Sequence, residues 1–197
     1  MKSVLPLLAV LLIVTAGCGG VRPYRAMARA ATSEEEVFAQ VQDKELKIQV
    51  REALLARGES PLAITPYVFM ERGFVVGFVG DSAQRDDVLS AAQGVQGLRS
   101  LQSYLPDRPA TSSTVDDVAT KAKVKEAFVP HREIGVTRVN IEVLDGHAVL
   151  LGVVGSEEAR ESAVTVAAGV SGVKGVTNFL LLPEPGYESR RPHLLAP

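Results

Sequence analysis

Gly152-Val153-Val154-Gly155 and, further on, Val166-Ala167-Ala168-Gly169-Val170-Ser171-Gly172-Val173 decide how this chain is built, because both have an earlier echo. Gly77-Phe78-Val79-Gly80 answers the first, and Ala91-Ala92-Gln93-Gly94-Val95-Gln96-Gly97-Leu98 answers the second. Gly77 and Gly152 lie 75 positions apart, as do Gly94 and Gly169. Upstream, Val50-Arg51-Glu52-Ala53-Leu54 matches Val124-Lys125-Glu126-Ala127-Phe128 at a spacing of 74. Internal repetition fixes architecture ahead of any local reading, and this period is too long for a solenoid. It predicts two small tandem units. Each holds roughly 65 residues, few for an independent core, so the two should support one another.

Periodicity changes in the same order within each unit. Leu46, Val50, Ala53 and Leu54 occupy one helical face, and Thr120, Val124, Ala127 and Phe128 repeat it, with Asp117 placed as a cap. Val139, Ile141 and Val143 then alternate with polar neighbours as in a half-buried strand. Asp145-Gly146 marks a hairpin turn, and Ala148–Val154 returns as a second strand. Ser156-Glu157-Glu158 opens a further helix with a capping hydroxyl and an acidic first turn. Ala159, Ala163, Val166, Ala167 and Val170 form that helix's buried stripe, Gly169 or Gly172 ends it, and Val176–Leu182 is a third strand. The order is helix, strand, strand, helix, strand, an α+β class. Gly77 and Gly152 read as sites where a packed helix approaches a strand closely.

The second strand carries an unusual pattern. Ala148, Leu150, Gly152 and Val154 make one face for the helices to cover, yet Val149, Leu151 and Val153 make the opposite face apolar as well. Phe74, Val76 and Phe78 opposite Val75, Gly77 and Val79 do the same in the first unit. A sheet with helices on one side normally leaves its other side wet. An apolar second face implies a cover. The two sheets facing each other would supply it; a partner protein or lipid is the alternative.

The repeated stretches Asp117–Lys125, Asp145-Gly146, Gly152–Ser156 and Gly169-Val170-Ser171-Gly172-Val173-Lys174-Gly175-Val176-Thr177-Asn178 resemble a BON domain. The second unit resembles it over nearly its whole length. The first departs from it, with Leu98 and Leu101 in place of valines and Ser103 where Asn178 stands. The resemblance implies two tandem BON domains, each αββαβ with a three-stranded mixed sheet covered on one face by two helices. The bounds read as 41–106 and 115–183, with a tether over 18–40, a linker over 107–114 and a loose tail over 184–197.

At the N-terminus, Lys2, the apolar run Val4–Val14 and Thr15-Ala16-Gly17-Cys18 have a secretory layout over residues 1–17. The run is shorter than the roughly 20 residues a spanning helix needs. Ala-Gly-Cys resembles a lipobox, which makes Cys18 the acylated residue; an ordinary cleaved signal and a retained helix are the alternatives. Together with two BON domains this resembles dual-BON lipoproteins of the bacterial outer membrane, facing the periplasm. That resemblance implies phospholipid association, support of outer-membrane integrity or stress tolerance, and no enzymatic activity. Its alternative is a scaffold docking outer-membrane assembly or secretion proteins.

For lipid contact the expected site is Lys121, Lys123 and Lys125 with Phe128, Val129 and Arg132, a basic collar for anionic headgroups. An ordinary solvated helix would read the same way, since lysines two apart do not share a face. No catalytic, cofactor or metal site is expected: His131, His147 and His193 are scattered, and Cys18 is the single cysteine. A formal net charge of −2 gives no general attraction to nucleic acid. Gly152–Gly155 lacks the lysine and spacing of a phosphate loop.

Overall fold

The computed structural model describes residues 41–60, 63–111, 113–135 and 139–185. The expected signal segment, Cys18, the tether and nearly all of the tail lie outside the described residues. Helix α1 covers 41–56. It is followed by β1 (Ile64–Phe69), β2 (Arg72–Gly77), α2 (Ser82–Gln93) and β3 (Ser100–Tyr104). The second repeat supplies α3 (Thr114–Phe128), β4 (Val139–Leu144), β5 (His147–Val153), α4 (Glu157–Ala168) and β6 (Gly175–Leu181). Both repeats have the expected order.

Each sheet has its middle strand antiparallel to the strand before it and parallel to the one after α2 or α4. The spatial orders are β1-β2-β3 and β4-β5-β6. Helix-facing side chains form one core per repeat. In the second, Val124 and Phe128 of α3 meet Ile141, Ala148, Leu150 and the alanines Ala159, Ala163 and Ala167 of α4. In the first, Val50 and Leu54 of α1 meet Ile64, Val75, Val79, Val88 and Ala92. Alanines on the second helix of each repeat let its backbone approach the sheet. Fully burying each Val, Leu or Phe stabilises by about 1.5–3 kcal/mol, so a compact stripe suffices to hold a short helix.

Local signals set the ends. Ser156 accepts from the Ala159 N–H at 3.2 Å, and Asp81, its counterpart, accepts from Gln84 at 2.8 Å. Helix α3 is capped by Ser113, which accepts from Asp116 at 3.3 Å, not by Asp117. Asp117 lies inside the first turn and is 8% exposed; its carboxylate points to the hairpin instead. Gly169 ends α4 in a right-handed conformation, and Gly172 supplies the positive φ of 102° that turns the chain into β6. The role expected of Gly77 also changes. A Cβ there would sit 2.1 Å from the Ala63 carbonyl oxygen, so the close neighbour is the entrance to β1, not a helix.

The second faces of the two sheets cover each other. Tyr67, Phe74 and Val76 from the first repeat pack with Val149 and Leu151 from the second, all buried, with Phe69, Tyr104, Phe179 and Leu181 around them. Phe74 and Phe179 have ring centroids 5.3 Å apart, and Tyr104 stacks on His147 at 4.6 Å. Polar bonds frame this seam. Glu184, just past β6, forms ion pairs with Arg72 and, at 2.8 Å, with Arg99. The molecule is therefore layered helices, sheet, sheet, helices, and the apolar second strands are explained by this packing.

Candidate functional site

The proposed lipid-contact residues lie on or just after α3, and the structure separates them. Phe128 is 0% exposed, locked into the core by Val124 and the sheet, so it cannot reach a headgroup. Its place in the i, i+4, i+8 stripe with Thr120 and Val124 already put it inward. Lys121 bonds Glu142 Oε2 at 3.0 Å and turns toward the seam. Lys123, Lys125 and Arg132 are exposed, and Val129 is 64% exposed. Beside Arg132, Glu133 bonds His131 at 3.1 Å. Its own backbone N–H, then His131, hold the Glu133 carboxyl below the usual carboxylate range. The loop after α3 is thus mixed in charge and not a uniformly basic collar.

Two residues that sequence reasoning passed over join the surface. Val115 and Val118 are 78% and 63% exposed. With Ala122 and Val129 they share one side of α3, since positions three, four and seven apart lie above one another on a helix. Both fall outside the buried stripe, and that was the available signal. Lys125 borders this ridge on one side and the exposed Glu126 on the other, with Lys123 further round the helix toward its buried stripe. The result is an apolar ridge with the Lys125 ammonium at one edge, whose stem can lie along apolar surface while the charge stays wet.

Behind α3 the seam opens into a cleft of about 250 Å³ lined by Tyr67, Lys121, Lys125, Val139, Asn140, Ile141 and Glu142. Tyr67 donates to Glu142 Oε1, which lies 75 positions on at the matching place in the other repeat. Lys47, the α1 counterpart of Lys121, holds its ammonium 5.0 Å over the Tyr67 ring. Burial first, then the Glu142 bond, push the Tyr67 hydroxyl far above its ordinary value, so it stays a donor. The carboxylate is satisfied on both oxygens, by a hydroxyl and an ammonium. This cluster joins the repeats and offers no nucleophile activated by a base.

A second duplicated device was missed altogether. Asp117 Oδ1 and Oδ2 each accept at 2.8 Å from Gly146 N and Asp145 N, the two turn amides of the β4–β5 hairpin. Asp43 does the same for Met70 N at 2.8 Å and Glu71 N at 2.9 Å. The spacing of 74 between Asp43 and Asp117 matched that of the helix block and would have revealed the pair. Each carboxylate fastens a hairpin turn to the first helix, and charge-assisted bonds to backbone N–H are among the stronger ones. Among the described residues, no three His, Cys, Asp or Glu side chains are grouped to hold a metal ion, and no helix is long and apolar enough to cross a membrane.

Each repeat is a mixed three-stranded sheet under two helices, ordered αββαβ, with Gly-Val-x-Gly leading from the second helix into the last strand. Residues 116–183, the second repeat, match the BON domain family. The chain is similar to osmotically-inducible protein Y of Escherichia coli (strain K12), with 32% identity over 108 residues, 53% of this chain and 54% of that protein. The chain thus spans about half the length of that curated relative. Among solved structures it is similar to the C-terminal domain of CdsD, a structural protein of the type III secretion system of Chlamydia trachomatis. That match has 14% identity over 69% of this chain and 96% of the other, with a TM-score of 0.28. A second CdsD structure gives 16% identity over 75% of this chain and 99% of that one, with a TM-score of 0.29. These values carry no argument about fold or function.

Proposed function

We propose that this protein is a non-enzymatic component of the bacterial envelope, anchored through Cys18, whose second repeat rests on anionic phospholipid and supports outer-membrane integrity under osmotic stress. The observation that carries the reading is the outer side of α3, where Val115, Val118 and Val129 are exposed in a row beside Lys125, with Lys123 also exposed further round the helix. Such a ridge suits the boundary between headgroups and acyl chains: valines enter, and lysine stems extend to phosphates. Each lysine contributes about 1 kcal/mol near an anionic surface. Two lysines and three valines give weak attachment by themselves and orient a domain that an acyl chain already tethers. The similarity to an osmotically-inducible protein supports the stress setting, and the secretory layout at the N-terminus supports the location.

Flotation of the Cys18→Ser chain with vesicles of phosphatidylglycerol and phosphatidylethanolamine tests this. Recovery in the floating fraction is expected to depend on the anionic lipid, and to fall at least about tenfold for Lys123→Glu with Lys125→Glu, on the basis of two charges reversed. Binding that is indifferent to both would reject the membrane reading. Attachment that appears only in envelope extracts would point to an assembly or secretion partner instead.

A further inference from the structure

The outer side of α1 differs from that of α3 in a way that fits another copy of the chain. Val41, Ile48 and Leu55, spaced by seven, are 53%, 56% and 46% exposed on the side opposite Leu46, Val50 and Leu54. Lys44 and Arg51 form one border of this stripe and Glu45 and Glu52 the other, all four exposed. At 3.6 residues per turn every one of these positions lies within about 60° of Ile48. The face thus has an apolar centre, a basic edge and an acidic edge.

We propose that this face pairs with the same face of a second chain, the two α1 helices running parallel about a two-fold axis along their length. The edges choose the direction. A parallel two-fold lays the basic edge of one helix against the acidic edge of its partner, so that Lys44 meets Glu45 and Arg51 meets Glu52 on both sides. An antiparallel two-fold sets basic against basic and acidic against acidic. Like charges in register are destabilising, and opposite ones at such flanks set partner and orientation. In the parallel pair the three apolar residues also meet their own equivalents. The acidic edge argues against a membrane as occupant, since Glu45 and Glu52 would face anionic headgroups. At the positions matching Lys44 and Glu45, α3 has Val118 and Ala119 and so lacks half of this charge code. Three apolar residues make a narrow seam, so the dimer is weak and depends on concentration. The proposal does not rest on the lipid reading.

The full chain carrying Cys18→Ser in detergent, which leaves no native thiol, provides the test. Val41→Cys, Ile48→Cys and Leu55→Cys, one at a time under mild oxidation, should each give disulfide-linked dimers above the background set by Val129→Cys on α3. Sedimentation should show a mass that rises with concentration. Lys44→Glu with Arg51→Glu should raise the dimer dissociation constant at least about tenfold, corresponding to 1.4 kcal/mol, and adding Glu45→Lys with Glu52→Lys should restore it. These residues are on the surface, and unchanged circular dichroism checks that the variants fold. Cross-linking through Ile48→Cys alone would show an antiparallel contact. No cross-linking above background would show that something other than a second copy covers the stripe. Either result overturns the proposal.

Discussion

The hairpin turn of the first repeat and that of the second have the same backbone shape from unlike residues. Asp145 and Gly146 have φ of 49° and 77°, the pair of positive values a two-residue turn requires. Met70 and Glu71 reach 53° and 60° with side chains that disfavour them. Positive φ costs such residues about 1–3 kcal/mol and persists only where the surroundings hold them there. Asp43 provides that hold by accepting both turn amides, as Asp117 does across the domain. The helix carboxylate is an aid to the Asp-Gly turn and a requirement for the Met-Glu turn. A duplicated fold can therefore keep its geometry while one copy departs from the favoured residues, provided a partner in the same repeat keeps bonding it. The outer helix faces also differ: α1 carries the charged pairs Lys44-Glu45 and Arg51-Glu52, whereas α3 has Val118 and Ala119 in place of the first and keeps only Lys125-Glu126.

The seam is where both repeats depend on one another, and breaking it should have the largest effect. Leu151→Asp would bury an unpaired carboxylate between the sheets, and about 4 kcal/mol of stability should be lost in urea unfolding. Asp43→Ala should cost about 3 kcal/mol and Asp117→Ala about 2, each losing two charge-assisted bonds, with the first repeat suffering more because of its turn. Equal losses for the two aspartates, read from urea midpoints, would remove the distinction between the hairpins.

The smallest effect is a response to acid. His147 is stacked on Tyr104 and bonds Thr177 Oγ1 at 2.9 Å, and burial pulls its pKa below the ordinary histidine value. The unfolded chain therefore takes up the proton first as pH falls through about 6.5 and below. Stability contributed by the neutral ring is complete above that value and declines beneath it. Melting temperature should drop modestly between pH 7.5 and pH 5, and His147→Gln should flatten that part of the profile. An unchanged slope would mean that His147 does not sense the seam.

Much of this was legible beforehand. The 75-residue echo gave the duplication, the change of period gave the element order, and the apolar second faces of β2 and β5 gave the contact between sheets. What escaped were matters of direction. Phe128 looks like an exposed partner for nearby lysines until the helical phase places it with Val124. Asp117 reads as a cap because an acidic residue near a helix start usually is one, and only three-dimensional placement of the turn shows where its carboxylate goes. Tyr67 and Glu142 are ordinary strand residues in sequence. Their bond exists because equivalent positions of two copies meet across an approximate symmetry axis, which a one-dimensional reading does not display.

The two repeats form one body through the sheet faces that carry no helices. A double-mutant cycle between Phe74 and Phe179, whose rings lie 5.3 Å apart across the seam, tests it most directly. With Phe74→Leu, Phe179→Leu and the double variant compared in urea, a coupling of about 0.5–1.5 kcal/mol is expected. Strict additivity, with the two substitutions acting as in separate domains, would contradict it.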